Sequence, residues 1–245
     1  MRRSRPALIL RLWLAGLAVW LMEGHALAIE GGGPPRGDRL ARATVAIGTL
    51  VRDADGDVSF SYCSGVLVRP DVVLTAAHCV AQDPLASVVF PYEGSRIGRD
   101  AHPVAALARS AMPSDIPGEF GAMTTTLSHD TALLRLAKPV RNRSPLRVGS
   151  SELARSQILR LAGGGQSGGR AGKLRVTDLV PVLATNGGLV VARAASALVC
   201  FGDSGGPVVV DGPGGPVLVG VASAVLTRNP PCGSLVVIAP ARPQS

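Results

Sequence analysis

Three short segments carry side chains that could act together on an acyl group. Gly202-Asp203-Ser204-Gly205-Gly206-Pro207 sets a serine among glycines. A nucleophilic serine needs an exposed hydroxyl, with backbone N–H groups aimed at the oxygen that turns negative in the transition state. Flanking glycines permit the tight backbone path this requires. An Asp-Ser turn is also common in ordinary loops, but here the apolar run at 207–210 follows directly and holds the loop rigidly. Thr75-Ala76-Ala77-His78-Cys79 comes straight after Val72-Val73-Leu74. A serine hydroxyl attacks poorly until a base takes its proton, and histidine suits that role near neutral pH. A lone histidine is more often a core or surface residue. Cys79 shifts that balance, because a disulfide beside the base would pin its backbone, and Cys63 stands sixteen residues upstream. In His129-Asp130-Thr131-Ala132-Leu133-Leu134-Arg135-Leu136 an aspartate leads into an apolar strand. Its carboxylate would be partly buried and so needs hydrogen bonds or a partner. Orienting the His78 ring meets that need; a plain strand-start cap is the alternative. His129 is a second candidate base, but in an extended segment adjacent side chains point apart.

The elements that must position these residues read as strands. Gly and Pro together number 49 and punctuate short runs of Val, Leu and Ile. Strands are expected at residues 44–51, 58–68, 72–74, 87–90, 131–136, 158–161, 174–183, 189–192, 207–210, 217–223 and 235–238. Short runs separated by Asp-Gly, Gly-Gly and Pro-Gly signals indicate an all-β sandwich or barrel. Residues 101–110 suggest a turn or two of helix, weakened by Pro103. The Gly-rich stretches 163–172 and 212–215 read as flexible loops or hairpin turns. Gly163-Gly164-Gly165 has neither a following Lys-Ser/Thr nor a helical pattern, which argues against phosphate binding. Residues 137–151, with Pro139 and Pro145, read as a linker between two halves.

Residues 1–28 have the form of a secretory signal peptide: Arg2, Arg3, Arg5 and Arg11, an apolar run at 12–22, and the small-residue site Ala26-Leu27-Ala28. The apolar run is too short and interrupted to predict stable membrane insertion. Cleavage would leave residues 29–245, ample for one large β domain or two small ones. The formal charge of +8 contains a net +3 from the signal region, leaving +5. The remaining cations are scattered, with few aromatic residues, which speaks against nucleic acid. Four cysteines, Cys63, Cys79, Cys200 and Cys232, lie beyond the signal, and an even count in an exported chain favours disulfides with three connectivities open. Without CxxC pairs or zinc-spaced histidines, no metal site is expected.

Together TAAHC, HDTALLRL and CFGDSGGP, in the order His, Asp, Ser, resemble the chymotrypsin/trypsin-like serine proteases. The resemblance extends from Ile29 to about Ile238. It implies two six-stranded antiparallel β-barrels, the first at about 29–140 and the second at about 150–240, with the active site in the cleft between them. It implies a catalytic triad of His78, Asp130 and Ser204, an oxyanion hole from the N–H groups of Gly202 and Ser204, and no cofactor. It implies disulfides Cys63–Cys79 and Cys200–Cys232, and a hydrogen bond from Ser223 near the triad aspartate. Ile29-Glu30-Gly31-Gly32 is similar to the Ile-Val-Gly-Gly that begins active family members, whose freed amino group is buried against the aspartate before the nucleophile, here Asp203. Because Ala28 directly precedes Ile29, signal cleavage alone is expected to create the activating terminus.

The same motif alignment puts Leu198 at the base of the primary specificity pocket, where trypsin-like enzymes carry Asp, and Val225 on its wall near Ser223. Cleavage after small or medium apolar residues is the expectation. The partners implied are a protein or peptide substrate and a protease inhibitor, and the location is secreted or periplasmic. Several positions depart from the family pattern. Ala224 replaces a common aromatic residue, Glu30 an aliphatic one, only 74 positions separate Asp130 from Ser204, and residues 239–245 have no amphipathic helical pattern. A catalytically silent homologue serving as a binding module is the main alternative, and an esterase a lesser one. The chain order His78, Asp130, Ser204 differs from the Ser-Asp-His order of lipase-type enzymes and argues against the esterase.

Overall fold

The computed structural model describes residues 29–52, 55–80, 84–110, 119–167, 170–227 and 232–242. The expected signal peptide, 1–28, lies outside the described residues. The first half carries β1 (Thr44–Arg52), β2 (Val58–Arg69), β3 (Val72–Thr75), β4 (Ala86–Glu93), β5 (Arg96–Ile97), β6 (His102–Arg109) and β7 (Ala132–Leu136). Their order is β1-β2-β3-β7-β6-β4-β5, and β4 also pairs with β1. That second pairing closes six strands into a barrel and leaves β5 as an extension. Closure removes the unpaired edges that six short apolar strands would otherwise expose.

The second half carries β8 (Arg147–Val148), β9 (Leu159–Gly163), β10 (Gln166–Ser167), β11 (Arg170–Ala171), β12 (Arg175–Ala184), β13 (Val190–Ala194), β14 (Val199–Cys200), β15 (Pro207–Gly212), β16 (Gly215–Leu226), β17 (Cys232–Gly233) and β18 (Leu235–Pro240). The order β15-β9-β12-β13-β18-β16, with β15 pairing back to β16, closes a second antiparallel barrel of six. The fold is therefore two closed six-stranded β-barrels. β8 lies in the connecting stretch and pairs in parallel with β16. One apolar cluster fills the first barrel and continues across the interface to Val209, Leu218 and Val221. A second, with Leu159, Leu161, Leu179, Val208 and Ile238, fills the other barrel.

Four details differ from the sequence reading. Residues 101–110 form β6 rather than helical turns, because pairing to β4 and β7 satisfies their backbone and Pro103 falls near the strand start. A ten-residue helix, α2 (Glu119–Ser128), stands where no helix was expected, after a short α1 (Arg39–Ala43). The α2 sequence, with an internal glycine and three threonines, has low intrinsic helix propensity. It is held by tertiary contact, with Leu127 packing on Leu189, Val191 and Val237 of the second barrel. Residues 29–33 associate with the second barrel, through bridges Glu30–Leu198 and Gly33–Val176. Finally, within 163–172 the hairpin alternative holds, since β10 pairs with β11, but Gly163 ends β9 and Gly164 and Gly165 are buried, so the glycine run itself is packed and not a flexible loop.

Candidate active site

His78 sits in a 3-10 turn, Ala77–Cys79, directly after β3. Disulfide Cys63–Cys79 ties that turn to β2. Asp130 lies between α2 and β7. Its Oδ1 accepts the His78 backbone N–H at 2.9 Å, and its Oδ2 accepts from His78 Nδ1 at 2.7 Å and from the Ser223 hydroxyl at 2.6 Å. An ionised carboxylate only accepts, so the ring proton resides on Nδ1 and Nε2 is left as the basic nitrogen. The Asp130 side chain is 10% exposed and that of His78 47%. Burial acts to raise the Asp130 carboxyl, but the hydrogen bond and charge of His78, with the Ser223 and backbone donors, outweigh it and hold the group below the usual carboxylate range.

A β-bulge brings Ser223 to this position. Along β16, Ala222 faces Ile238 and Ala224 faces Val237, so Ser223 is the extra residue between them. A bulge re-aims the side chain it carries, and here the hydroxyl points from the second barrel to an aspartate of the first.

Ser204 occupies the turn between β14 and β15. It shares a cleft of about 800 Å³ with His78, Asp130, Gly202 and Ser223. Among the described residues, no hydrogen bond joins Ser204 Oγ to His78 Nε2; the latter lies 3.9 Å from Cys79 Sγ. Contacts of this kind commonly close only around substrate. Within the loop, Asp203 N–H bonds Cys200 O, Gly205 N–H bonds Ala222 O and Gly206 N–H bonds Asp203 O. The N–H groups of Gly202 and Ser204 have no acceptor among the described residues, which leaves two donors for an oxyanion.

Asp203 is fully buried. Its carboxylate accepts from Ile29 N at 3.2 Å, Cys200 N at 2.8 Å and Gly165 N at 2.8 Å. Burial pushes its pKa up to about 7 against the lowering effect of those three donors. Disulfide Cys200–Cys232 joins β14, whose Cys200 lines the cleft, to β17. Val225, Ser223 and Ala224 line the cleft. Leu198 is not among its lining residues; it is 40% exposed and its backbone bridges Glu30. His129 lines the cleft but is bonded elsewhere. Its Nδ1 donates to Thr125 O at 2.9 Å and its Nε2 faces Arg242 at 3.3 Å.

Two groups of closely spaced ligand-type atoms occur among the described residues, Cys63-His78-Cys79 and Glu30-Cys200-Cys232. Their cysteines are all in disulfides, so no thiolate is available to a metal there.

The family model described as Trypsin matches residues 45–239. The chain belongs to the trypsin family. That family is one of serine-type endopeptidases, and this member is a hydrolase of that type. Among solved structures, this trypsin-family chain is similar to HL collagenase, at 22% identity and a TM-score of 0.63, covering 86% of this chain and 93% of that one. It is also similar to the protease Anisep from Arthrobacter nicotinovorans, at 15% identity and a TM-score of 0.58, covering 83% and 91%. No curated protein matches it. These structural likenesses concern the fold.

Several cleft residues of this trypsin-family member were missed from sequence. Phe201, 57% exposed, lines the cleft beside Cys200; an aromatic three residues before the serine was a readable signal. Arg109, Thr126 and Leu127 form another part of the lining, contributed by β6 and α2. No sequence signal marks them, because their approach depends on how α2 lies on the second barrel.

Proposed function

We propose that this protein is an exported serine endopeptidase that works through a triad of His78, Asp130 and Ser204. The observation that carries this reading is the Asp130 carboxylate, which accepts from both His78 donors and from Ser223 at the mouth of the cleft that holds Ser204. Ser204 Oγ attacks the scissile carbonyl carbon as its proton passes to His78 Nε2. The carbonyl oxygen becomes an oxyanion, for which the Gly202 and Ser204 N–H groups are the available donors. Collapse breaks the C–N bond, and His78 returns the proton to the leaving amine. Water, deprotonated by His78, then releases the acyl group and restores Ser204. Asp130 fixes the ring tautomer and stabilises the imidazolium throughout.

Residues 1–28 act as an export signal and residues 29–245 as the protease domain, working outside the cytoplasm, where both disulfides persist. Cleavage after Ala28 frees the Ile29 amino group against Asp203. The apolar cleft lining, with Val225 and Ala224 and with no carboxylate besides Asp130 among its described residues, supports cleavage after small or medium apolar residues. Leu198 lies outside that lining and carries no part of this reading. Among the described residues no helix is long and apolar enough to cross a membrane.

The test is intact mass of the exported protein before and after a fluorophosphonate. A mass starting at Ile29 with one adduct, absent in Ser204→Ala, is expected. A correctly processed, folded protein that takes no label overturns the triad and leaves a silent binding module. Preferred cleavage after Arg or Lys in a peptide library overturns the pocket assignment.

A further inference from the structure

Ser64, immediately after Cys63 in β2, is fully buried and has no part in the chemistry above. Four hydrogen bonds meet on it. Its N–H donates to Ser204 O at 2.8 Å. Its hydroxyl donates to Gly202 O at 2.9 Å and accepts from Gly164 N–H at 3.0 Å. Its carbonyl accepts the Thr75 hydroxyl at 2.8 Å, and Thr75 is three residues before His78. One first-barrel residue therefore touches the segment leading to the base, both carbonyls that flank Asp203, and the glycine run of β9.

Two tyrosines close this network. Tyr62 and Tyr92 are both buried, with their hydroxyls 2.5 Å apart. Burial raises the pKa of each, and the neighbouring Tyr62 hydroxyl raises that of Tyr92 further. Both phenols therefore stay neutral and able to donate. Glycine is required at the crossing points. A Cβ on Gly164 would overlap the Tyr92 hydroxyl, and one on Gly205 would overlap Thr75 Oγ1 and Ser64 O.

The backbone bond from Ser64 to Ser204 O needs no particular side chain. The bond from its hydroxyl to Gly202 O does. It holds the Gly202–Asp203 peptide, which lies between the two N–H groups offered to the oxyanion, and it ties that peptide to Gly164, whose neighbour Gly165 donates to Asp203. We propose that Ser64 is a positioning residue, which orients the Gly202 and Ser204 N–H donors through its hydroxyl with the Tyr62–Tyr92 pair behind it. This inference rests on the protease reading.

The test compares wild type with Ser64→Ala and Ser64→Gly, both processed to Ile29, using a peptide substrate, a peptide aldehyde that forms a hemiacetal with the serine, and amide hydrogen exchange. Loss of one buried charge-orienting bond is expected to lower kcat about tenfold or more with KM little changed. Aldehyde affinity should fall in parallel, and exchange should quicken at residues 200–205 and at Gly164. The glycine variant carries the test if alanine does not fold. Unchanged kcat and unchanged exchange overturn the proposal, and so does a rate loss accounted for entirely by a smaller folded fraction. If wild type itself is inert, the protease reading falls, while exchange still decides whether Ser64 orders the loop.

Discussion

Asp130 accepts three hydrogen bonds while nearly buried, and losing any one leaves a charge less well solvated. Ser223→Ala removes the shortest of them. Hydrogen bonds to charged groups are worth about 1.5–3 kcal/mol, so kcat/KM is expected to fall about tenfold or more, measured with a peptide substrate. The same substitution changes acid stability in a definite direction. The folded Asp130 value is depressed, so its contribution is present above the unfolded carboxylate value and lost as pH falls through the folded one. Without Ser223 the folded value rises, and acid unfolding monitored by fluorescence should begin at a higher pH than in wild type. An unchanged acid limb would show that Ser223 does not support the carboxylate. Ser223 was implied by the family resemblance, but the bulge that turns it toward Asp130 was not, because bulges arise from pairing between β16 and β18.

Each disulfide belongs to an element that faces the cleft. Cys63–Cys79 closes a sequence separation of 16 and Cys200–Cys232 one of 32. By loop-closure entropy these are worth about 3 and about 4 kcal/mol. Removing either pair by double alanine substitution should lower Tm by roughly 6–16 °C for a chain of this size, with the larger drop for Cys200–Cys232 by calorimetry. The reverse ranking would mean that native-state packing, not loop entropy, dominates. Just after β9, Gly164→Ala would drive a methyl into the hydroxyls of Tyr92 and Tyr62, two buried side chains bonded to each other. Overpacking of this kind costs about 1–3 kcal/mol or more, and denaturant melts should show at least that loss. The apolar strands themselves were legible as elements because Val- and Leu-rich runs between turn residues need pairing on both edges. Helix α2 was not, since its sequence prefers no structure and the second barrel supplies the surface it rests on.

Across the whole molecule, Ile29 and the loop that carries Ser204 meet at Asp203. With residues 1–28 attached, Ile29 offers an uncharged N–H, and the carboxyl is pushed up to about 7. A folded value above the unfolded one means the uncleaved form loses stability as pH rises from about 4 to about 7. On the proposed cleavage after Ala28, the same nitrogen would become an ammonium, which would let Asp203 ionise and pair with it. The Tm of the form beginning at Ile29 should therefore exceed that of the uncleaved form by a margin that widens between pH 4 and pH 7.5. A margin constant with pH would remove the ion pair from the activation step. At still higher pH the ammonium titrates, and its contribution is lost as pH rises through its folded value.

The sequence by itself offered His78, Asp130 and Ser204 as candidates for the chemistry and determined the loop glycines, the cysteines and the strand-rich class, because each is written in residue type and local spacing. Barrel closure, the bulge at Ser223, the resting place of α2 and the convergence on Ser64 were decided only by tertiary structure. Each depends on contacts between residues far apart in the chain, such as Ser64 with Gly202 and Gly164, and local patterning carries no information about which distant backbone groups will be brought within hydrogen-bonding reach.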